Sequence, residues 1–344
     1  MRLGIQLGYS GEGFAQAVDE VAECEAAGAD LVVVPEAYSF DAVSQLGYLA
    51  ARTRTMCLAS GVMQLYTRTP TLTAMTAAGL DYVSGGRFAL GLGASGPQVV
   101  EGFHGVRYDA PLARTREVVE ICRSVWRRET LVHEGAHYRI PLAGKPLKLI
   151  NRPVRDRIPI LLAAMGPRNV ALAAEIADGW QALFLDPEAL PEVFGPALAQ
   201  GRARRDPALG PLDIMVPMPF AVAEPTERLL ARHRAQLALY IGGMGSRQRN
   251  FSNDLVRRYG YAEEAARIQE LFLSGRRGEA AQVVPKKLLE ATALVGSLGE
   301  VRDRVAALAA AGVTTLLVSP LAATRAERVE DVAKLKRVLA ETNL

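Results

Sequence analysis

The sequence predicts an α/β protein whose parallel strands close into a (β/α)8 TIM barrel. Apolar, β-branched runs alternate with amphipathic stretches, and a strand–helix unit recurs about every thirty residues over the first quarter of the chain. Such strict alternation is typical of a parallel sheet. Eight strand patterns can be counted and no linker divides the chain, so we expect residues 1–344 to form one domain. A doubly wound open sheet is the alternative.

The first four predicted strands lie at 3–9, 31–34, 57–63 and 87–92. The first helix, over 14–27, has apolar residues at three-and-four spacing, and Gly28 ends it in the usual way. Asp41 can begin the second helix. Pro70 begins the third at the first helical position, where proline is favoured. A long amphipathic helix over 112–128 follows the fourth strand.

The second half of the chain repeats the pattern. Predicted strands lie at 158–163, 180–185, 213–222 and 314–318, and predicted helices at 169–177, 187–204, 224–240, 301–311 and 325–341. Two segments leave the repeat: 133–140 is typical of a small hairpin, and about 241–296 is a mostly helical insertion between strands seven and eight. Because so long an insertion is seldom a plain connection, we expect it to cover a binding site.

The composition excludes several classes of protein. Of 344 residues, 49% are hydrophobic and 22% are charged, and the net charge of +3 is scattered. No basic stripe alternates with aromatic residues, which disfavours nucleic acid as a partner. No apolar run could span a membrane, and the first residues lack the layout of a signal peptide. Cys24, Cys57 and Cys122 lie in apolar patterns, as expected for free thiols in a reducing cytoplasm.

A buried strand that runs into a glycine-rich loop is the most informative stretch. The residues from 88 to 92 are apolar without alternation, as expected for a strand covered on both faces. Gly91, Gly93 and Gly96 then leave backbone without side chains, and Ser95 adds a hydroxyl group. Such a loop can bend sharply and let a ligand lie against its N–H groups.

The glycine spacing also matches the GxGxxG fingerprint of dinucleotide-binding folds. That fingerprint belongs to a first strand–helix unit and should open a helix at once. Here the strand is the fourth, and the residues from Pro97 to Gly102 do not indicate a helix start. The chain therefore lacks the Rossmann unit that a plain NAD dehydrogenase needs. Two interpretations of the glycine-rich loop remain: a tight turn of the barrel, or a loop that faces a cofactor. We favour the second.

A second candidate loop, over 163–169, joins the fifth strand to its helix. Gly166 and Pro167 place free N–H groups at a helix start, and Arg168 adds a positive charge, which together suit a phosphate. The alternative is that Gly166-Pro167 merely starts the helix and that Arg168 is solvated.

Glu36 ends a wholly apolar strand and is the candidate catalytic residue. A carboxylate there should either be held by hydrogen bonds to a neighbouring loop or work with protons. Tyr66 and Arg68 follow the third strand, either at the pocket rim or at the surface. A lone loop histidine such as His104 is more often structural, and we expect no functional role for His233.

In a barrel, ligands and catalytic groups lie at the carboxyl ends of the strands. The predicted strand ends carry small residues, one well-placed carboxylate, no histidine and no cluster with metal-ligand spacing. The residues that a metal-dependent hydrolase or a Ser–His–Asp hydrolase needs are therefore missing from the predicted strand ends. Small residues and bare backbone suit a large flat cofactor that brings its own chemistry.

Four phrases resemble a known family. They are VPEAY at 34–38, SGVMQLYTRTP at 60–70, SGGRFALGLGASGP at 84–97 and LAAMGP at 162–167. Their order and their places at strand ends are similar to the luciferase-like flavin and deazaflavin oxidoreductases, specifically the branch that uses coenzyme F420. The resemblance covers nearly the whole chain. It implies a (β/α)8 barrel with an insertion, a small-molecule substrate and a homodimer.

The resemblance also implies site residues. It implies a cis peptide bond between Gly61 and Val62, whose bulge backs the tricyclic ring, and it places Glu36 near the ring edge. The glycine loop and the loop at 164–167 would hold the tail and the phosphate. The residues expected at the cofactor are Gly61, Val62, Met63, Gly93, Ala94, Ser95, Gly96, Ala163, Ala164, Met165, Gly166, Pro167 and Arg168, and no metal is expected.

Two departures from the family patterns narrow the function. The sugar-phosphate dehydrogenase branch has a catalytic histidine where this chain has Ala37, and a glutamate where this chain has Pro97. The flavin monooxygenase branch often has Gly-Trp-Asn after strand four, where this chain has Ala89-Leu90-Gly91. The first departure disfavours sugar phosphates as substrates, and the second favours coenzyme F420 over FMN.

We therefore expect a cytoplasmic, coenzyme F420-dependent oxidoreductase. It would transfer a hydride between the deazaflavin and a small organic substrate, while the protein supplies orientation and a dry pocket. The alternative is a luciferase-like monooxygenase that uses FMN and oxygen. A third hypothesis is a non-catalytic protein that binds and protects the deazaflavin.

Overall fold

The computed structural model describes residues 1–9 and 13–342. The strands, in chain order, are β1 (Arg2–Gln6), β2 (Leu31–Val34), β3 (Cys57–Ser60), β4 (Met63–Gln64), β5 (Phe88–Gly93), β6 (His133–Glu134), β7 (Arg139–Ile140), β8 (Ile160–Ala163), β9 (Gly179–Gln181), β10 (Asp213–Val222), β11 (Leu294–Gly296) and β12 (Thr315–Pro320). The helices are α1 (Phe14–Ala26), α2 (Ala42–Arg52), α3 (Pro70–Val83), α4 (Pro97–Val100), α5 (Pro111–Trp126), α6 (Pro167–Ile176), α7 (Leu190–Val193), α8 (Gly195–Arg202), α9 (Glu227–Gly243), α10 (Phe251–Arg258), α11 (Ala262–Leu273), α12 (Arg277–Gln282), α13 (Lys286–Ala291), α14 (Leu298–Ala310) and α15 (Arg325–Glu341).

Parallel strands of the described chain close into an eight-stranded barrel. Their order is β1-β2-β3-β5-β8-β9-β10-β12, and β12 returns to pair with β1. Gly4 of β1, for example, lies opposite Leu31 on one side and Leu317 on the other. The ring confirms the predicted TIM barrel and excludes the doubly wound sheet, because an open sheet would leave two free edges.

Side chains fill the barrel below the carboxyl ends of its strands. This inner cluster consists of Leu31, Val33, Ala59, Ala89, Leu161, Met215 and Leu317. Gly4 lies in the same layer, because a Cβ there would be 2.7 Å from the side chains of Leu31 and Leu317. A larger apolar cluster packs between the strands and the outer helices. Since the interior is packed, a ligand site has to lie at the end of the barrel.

Several segments differ from the prediction. The strands predicted at 3–9 and 180–185 end earlier, at Gln6 and Gln181, and the helix predicted at 187–204 is divided into α7 and α8.

Three further differences lie near the carboxyl ends of barrel strands. The third strand does not run through 57–63, because it ends at Ser60 and resumes as β4, and the peptide bond between Gly61 and Val62 is cis, as the resemblance implies. Pro97 does begin a helix, α4, in which it takes the first position. β11 is a further strand that pairs with the end of β10. It was not predicted, because a segment of three residues carries no periodic pattern.

The insertion between β10 and β12 is mostly helical, as predicted. α9 runs to Gly243 instead of ending near 240, and a Cβ on Gly242 or Gly243 would overlap Phe272 of α11. Close packing of α9 on α11 therefore requires both glycines. Asn253 of α10 ties the insertion together, because its side-chain amide donates to backbone carbonyls of α9 and α11 at 3.1 and 2.7 Å.

Of the helices in the described part of the chain, none has the length and apolar character that crossing a bilayer requires.

Candidate functional site

A cavity of about 2710 Å³ opens at the carboxyl ends of the barrel strands. The segments that follow all eight barrel strands contribute to its wall, together with parts of the insertion. Pockets for drug-sized ligands measure roughly 300–1,000 Å³. The cavity therefore has room for a large cofactor and a second molecule.

All but one of the predicted site residues line this cavity. They are Glu36, Gly61, Val62, Gly93, Ala94, Ser95, Gly96, Ala163, Ala164, Met165, Gly166, Pro167 and Arg168. Met63 is the exception, because its side chain is fully buried in the hydrophobic core. The break after Ser60 explains this, since β4 pairs with β5 beyond the break and Met63 packs with the core. The assignment of Met63 to the cofactor stays a prediction, and its buried side chain gives it no support.

Three glycines, Gly61, Gly91 and Gly93, allow β2, β3 and β5 to pack closely below the cavity wall. A Cβ on Gly93 would lie 2.5 Å from Cγ2 of Val62, and a Cβ on Gly61 would overlap a side chain of β2. Ser60 Oγ donates to the carbonyl of Gly91 and accepts from its N–H, both at 2.9 Å. This approach is possible only because these positions lack side chains. Gly61, Val62 and Gly93 line the cavity, so this closely packed junction forms part of its wall.

Gly96 and Gly166 leave space that the fold does not use. Their φ angles of −123° and −74° are accessible to any residue. A Cβ at either position would meet no protein atom within 4 Å. Both residues line the cavity, so a side chain there would occupy cavity volume. A ligand that lies against the backbone explains glycine at both positions.

The start of α6 is suited to an anion. Gly166 precedes this helix of ten residues, Pro167 takes its first position, and no side chain caps its N–H groups. Helix N-termini attract anions, and Arg168 is exposed at the same end of the helix. Arg258 of the insertion donates to the carbonyl of Met165 at 2.7 Å and so fixes the loop before the helix. These groups together fit a phosphate.

Ser95 has a left-handed backbone conformation, with φ of 58°, which residues other than glycine seldom adopt. The Tyr108 hydroxyl donates to the carbonyl of Ser95 at 3.4 Å. The guanidinium of Arg249 lies 5.8 Å from the centre of the Tyr108 ring. Because Arg249 belongs to the insertion, the insertion helps to hold the glycine loop. Backbone held in this way is common at binding sites.

Glu36 is held by an ion pair at the cavity wall. Arg68 donates to its two oxygens at 2.6 and 2.9 Å, and the Ala42 N–H donates to Oε2 at 2.9 Å. The side chains of Glu36 and Arg68 are only 7% and 15% exposed, and their hydrogen bonds raise the pKa of Arg68. Arg68 therefore lies inside and not at the rim or surface. The Tyr66 hydroxyl donates to the carbonyl of Asp109 at 2.7 Å.

Two glutamines that were not predicted from the sequence form a polar floor. Interior positions alternate along a strand. Gln6 lies two residues beyond the interior residue Gly4, and Gln181 has the same relation to the start of β9. Both line the cavity beside Ser319, whose Oγ donates to the carbonyl of Gln6 at 3.2 Å. These groups can hydrogen-bond a ring or a substrate oxygen, but they do not ionise near neutral pH.

Ionisable groups of α9 also reach the cavity wall. His233 is buried, and burial lowers its pKa to about 4. Its Nε2 lies 2.8 Å from the Thr292 hydroxyl, which itself donates to the carbonyl of Leu288 at 2.8 Å, so the histidine is the donor. His233 is thus a neutral link between α9 and the end of α13. Burial raises the pKa of the Tyr240 hydroxyl, which lies beside Tyr9.

Known proteins resemble the chain over nearly its whole length. The family model for luciferase-like monooxygenases matches residues 1–315. A protein of Mycobacterium tuberculosis named "Putative coenzyme F420-dependent oxidoreductase Rv3520c" is 44% identical over 351 aligned positions, which cover 97% of this chain and 99% of that protein. The 5,10-methylenetetrahydromethanopterin reductase of Archaeoglobus fulgidus is 28% identical, with 85% of each chain covered.

A solved structure has the same fold. The coenzyme F420-dependent tetrahydromethanopterin reductase of Methanopyrus kandleri matches with a TM-score of 0.80 at 23% identity, covering 96% of this chain and 97% of that chain. The assignment of the chain to a family rests on the match to residues 1–315 and on the 44% identity to the mycobacterial relative. On both grounds, the chain belongs to the luciferase-like monooxygenase family.

Proposed function

We propose that the chain is a coenzyme F420-dependent oxidoreductase that transfers a hydride between the deazaflavin and a small organic substrate. The observation that carries this proposal is the closely packed wall at Gly61, Val62 and Gly93, next to a floor of groups that do not ionise. Such a site supplies little chemistry of its own, so it suits a cofactor that brings the reactive atom. The mycobacterial relative is named for coenzyme F420, and the archaeal relative is named as a reductase.

The residues present fit this cofactor in size, shape and charge. Gly61, Val62 and Gly93 would lie against the ring, and the open space at Gly96 and Gly166 would take the tail. The start of α6, with Arg168 beside it, would bind the phosphate. When bound, the deazaflavin supplies a ring carbon that carries the hydride. The protein orients the two reactants and excludes water, and the polar floor offers hydrogen bonds.

Glu36 is proposed to handle a proton or to hydrogen-bond the ring. Its oxygens already accept three hydrogen bonds, and a carboxylate has roughly four acceptor sites. One acceptor site therefore remains for a ring N–H. Protonation of Glu36 would leave Arg68 without its charged partner in a largely buried place. These contacts favour the ring-binding role over proton transfer.

A luciferase-like monooxygenase that uses FMN and oxygen is the second candidate function. The description of the family favours it. The closely packed wall and the start of α6 would accept FMN as readily as the deazaflavin. The two candidates differ in which cofactor binds and in whether oxygen is needed.

We also propose that the chain forms a homodimer through the outer face of α3. This face exposes Leu72, Met75, Tyr82 and Val83, which are 47–72% exposed. Val154 extends the patch, because it lies 3.5 Å from the Cβ position of Gly86, just beyond α3. An apolar patch on an outer helix is typical of a subunit interface. A second copy would present the same patch, as two-fold symmetry requires.

A cytoplasmic location is proposed as well. Cys24 and Cys122 are buried free thiols, and Cys57 is a partly buried one. Free thiols are typical of a reducing compartment.

An assay without oxygen tests the proposed activity. Reduced coenzyme F420 is mixed with the protein and a panel of enones, imines and ketones, and oxidised coenzyme with a panel of alcohols. We expect substrate-dependent conversion of the coenzyme by the wild type and little by Gly96→Val, whose side chain would occupy cavity volume without meeting a protein atom. Gly47→Ala, on α2 with no atom within 4 Å of its Cβ position, is the control. If the substrate is converted only when reduced FMN and oxygen are supplied, the second candidate function is established instead.

A further inference from the structure

Exposed aromatic side chains lie along one side of the cavity mouth. Tyr9, Tyr38 and Phe40 line the cavity, and Phe103 packs against Tyr38 with ring centres 6.1 Å apart. Each of these four residues, which we call the aromatic rim, is 51–69% exposed. Contiguous apolar surface of this kind usually marks a binding site. The aromatic rim is continuous with the cavity, so its occupant belongs to the same site.

The aromatic rim and the start of α6 lie on different sides of the mouth. The aromatic rim follows β1, β2 and β5, in one half of the barrel. Acidic groups near it are already engaged, because Glu36 pairs with Arg68 and Asp41 caps α2. The start of α6, with Arg168, follows β8, in the other half. Cations are not confined to that half, since Arg232 comes within 3.9 Å of the Cβ position of Gly8, beside Tyr9.

This arrangement assigns the two ligands, and the assignment rests on the proposed function. The start of α6 lies in the half of the barrel opposite the aromatic rim, so the anionic part of the cofactor would take that side. We propose that the aromatic rim binds the flat apolar body of the substrate. The substrate class is an uncharged molecule of bicyclic size or larger, whose reactive group reaches the polar floor formed by Gln6, Gln181 and Ser319.

A small polar molecule or a sugar phosphate fits the aromatic rim poorly. It would cover aromatic surface without the gain that apolar contact brings. The position after Glu36 offers no side-chain base either, since it is Ala37, whose carbonyl accepts a hydrogen bond from Gln64 Nε2 at 2.7 Å. A flat apolar ring, by contrast, gains affinity with each unit of area that it covers.

Calorimetric titration of the protein loaded with coenzyme F420 tests the inference. The probes are 2-naphthylmethanol, benzyl alcohol and glucose 6-phosphate. The two alcohols differ by one ring, so we expect 2-naphthylmethanol to bind about tenfold more tightly, and the sugar phosphate not to compete with it. The Tyr38→Ala/Phe103→Ala double variant should lose about tenfold in 2-naphthylmethanol affinity. Tyr48→Ala, which removes an aromatic residue that is 48% exposed and does not line the cavity, should lose none.

Coenzyme affinity, measured by fluorescence for each variant, separates the proposed function from the proposed substrate site. If the wild type does not bind coenzyme F420, the proposed function fails. Titration of the alcohols into the cofactor-free protein then still tests whether the aromatic rim binds a flat apolar molecule. Equal affinity for the two alcohols would overturn the inference. So would a double variant that binds 2-naphthylmethanol normally, or that loses coenzyme affinity to the same extent. Phe40→Ala replaces the double variant if thermal denaturation shows that the latter is misfolded.

Discussion

Arg68 donates two hydrogen bonds to Glu36, at 2.6 and 2.9 Å, from a position 32 residues further along the chain. The pair joins the loop after β4 to the loop after β2 at the cavity wall. The Ala42 N–H adds a third hydrogen bond, at 2.9 Å, so the carboxylate also anchors the start of α2. Glu36, the predicted catalytic residue, therefore also has a structural role, because it holds two loops and a helix start together.

Glu36→Gln should lower the free energy of unfolding by roughly 3 kcal/mol, because Arg68 would lose its charged partner in a largely buried place. Arg68→Met should have a similar effect, and the double variant should cost less than the sum. Urea denaturation of the three variants measures this. If Glu36 binds the ring, both single variants also weaken coenzyme binding. Normal coenzyme affinity with lost turnover in Glu36→Gln would instead identify Glu36 as the proton-transfer group.

Gly96→Ala and Gly166→Ala should fold normally but bind the cofactor about tenfold less tightly. A Cβ at either position meets no protein atom within 4 Å, so it would displace only the ligand. Thermal denaturation and the dissociation constant of coenzyme F420 check the two halves of this prediction. Gly47→Ala is the matched control and should retain full affinity. Wild-type affinity in both site variants would mean that the cofactor does not approach these loops.

Stability should fall in mild acid because of His233. Burial lowers its pKa from about 6.5 to about 4 in the folded chain. Between these values the unfolded chain binds a proton that the folded chain does not, so the free energy of unfolding should drop by about 3 kcal/mol as the pH falls from 6.5 to 4. The pH dependence from this group fades as the pH rises past 6.5. Urea denaturation from pH 4 to 8 should show a shallower dependence of stability on pH for His233→Gln than for the wild type.

Charges on the outer face of α3 should separate the proposed dimer. Met75→Glu and Tyr82→Glu place a carboxylate in the apolar patch, where a second copy would bury it. Light scattering after gel filtration should report a dimer for the wild type and a monomer for the double variant. Leu298→Glu, at an exposed apolar residue of α14, should stay dimeric. A monomeric wild type, or a dimeric double variant, would contradict the proposed interface.

The barrel could be predicted from the sequence because its strands and helices follow local rules. The uninterrupted apolar run at 31–34 indicates a strand buried on both faces, and Pro70 marks a helix start. The loops around Gly96 and Gly166 were found in the same way, since Gly-Pro after an apolar strand is a local signal. Both loops line the cavity.

Other features depend on contacts between distant segments. Met63 was expected at the cavity, but the break after Ser60 places it in the core. The ion-pair partner of Glu36 could not be identified from the sequence, because Arg68 is 32 residues away and comes close only when the barrel forms. Gln6 and Gln181 become recognisable only when the interior face of each strand is known, since the alternation of side chains has to be counted from a residue inside the barrel.

The measurement that tests the account most directly is a fluorescence titration of the purified protein with oxidised coenzyme F420, FMN and NADP. The relatives' names, and Ala89-Leu90-Gly91 in place of Gly-Trp-Asn, lead us to expect tight binding of coenzyme F420 and weak binding of FMN. The lack of a Rossmann unit leads us to expect weak binding of NADP as well. Selective binding of FMN would contradict the central claim and would favour the oxygen-dependent monooxygenase. Binding of none of the three would mean that the glycine-lined cavity does not hold a cofactor of this kind.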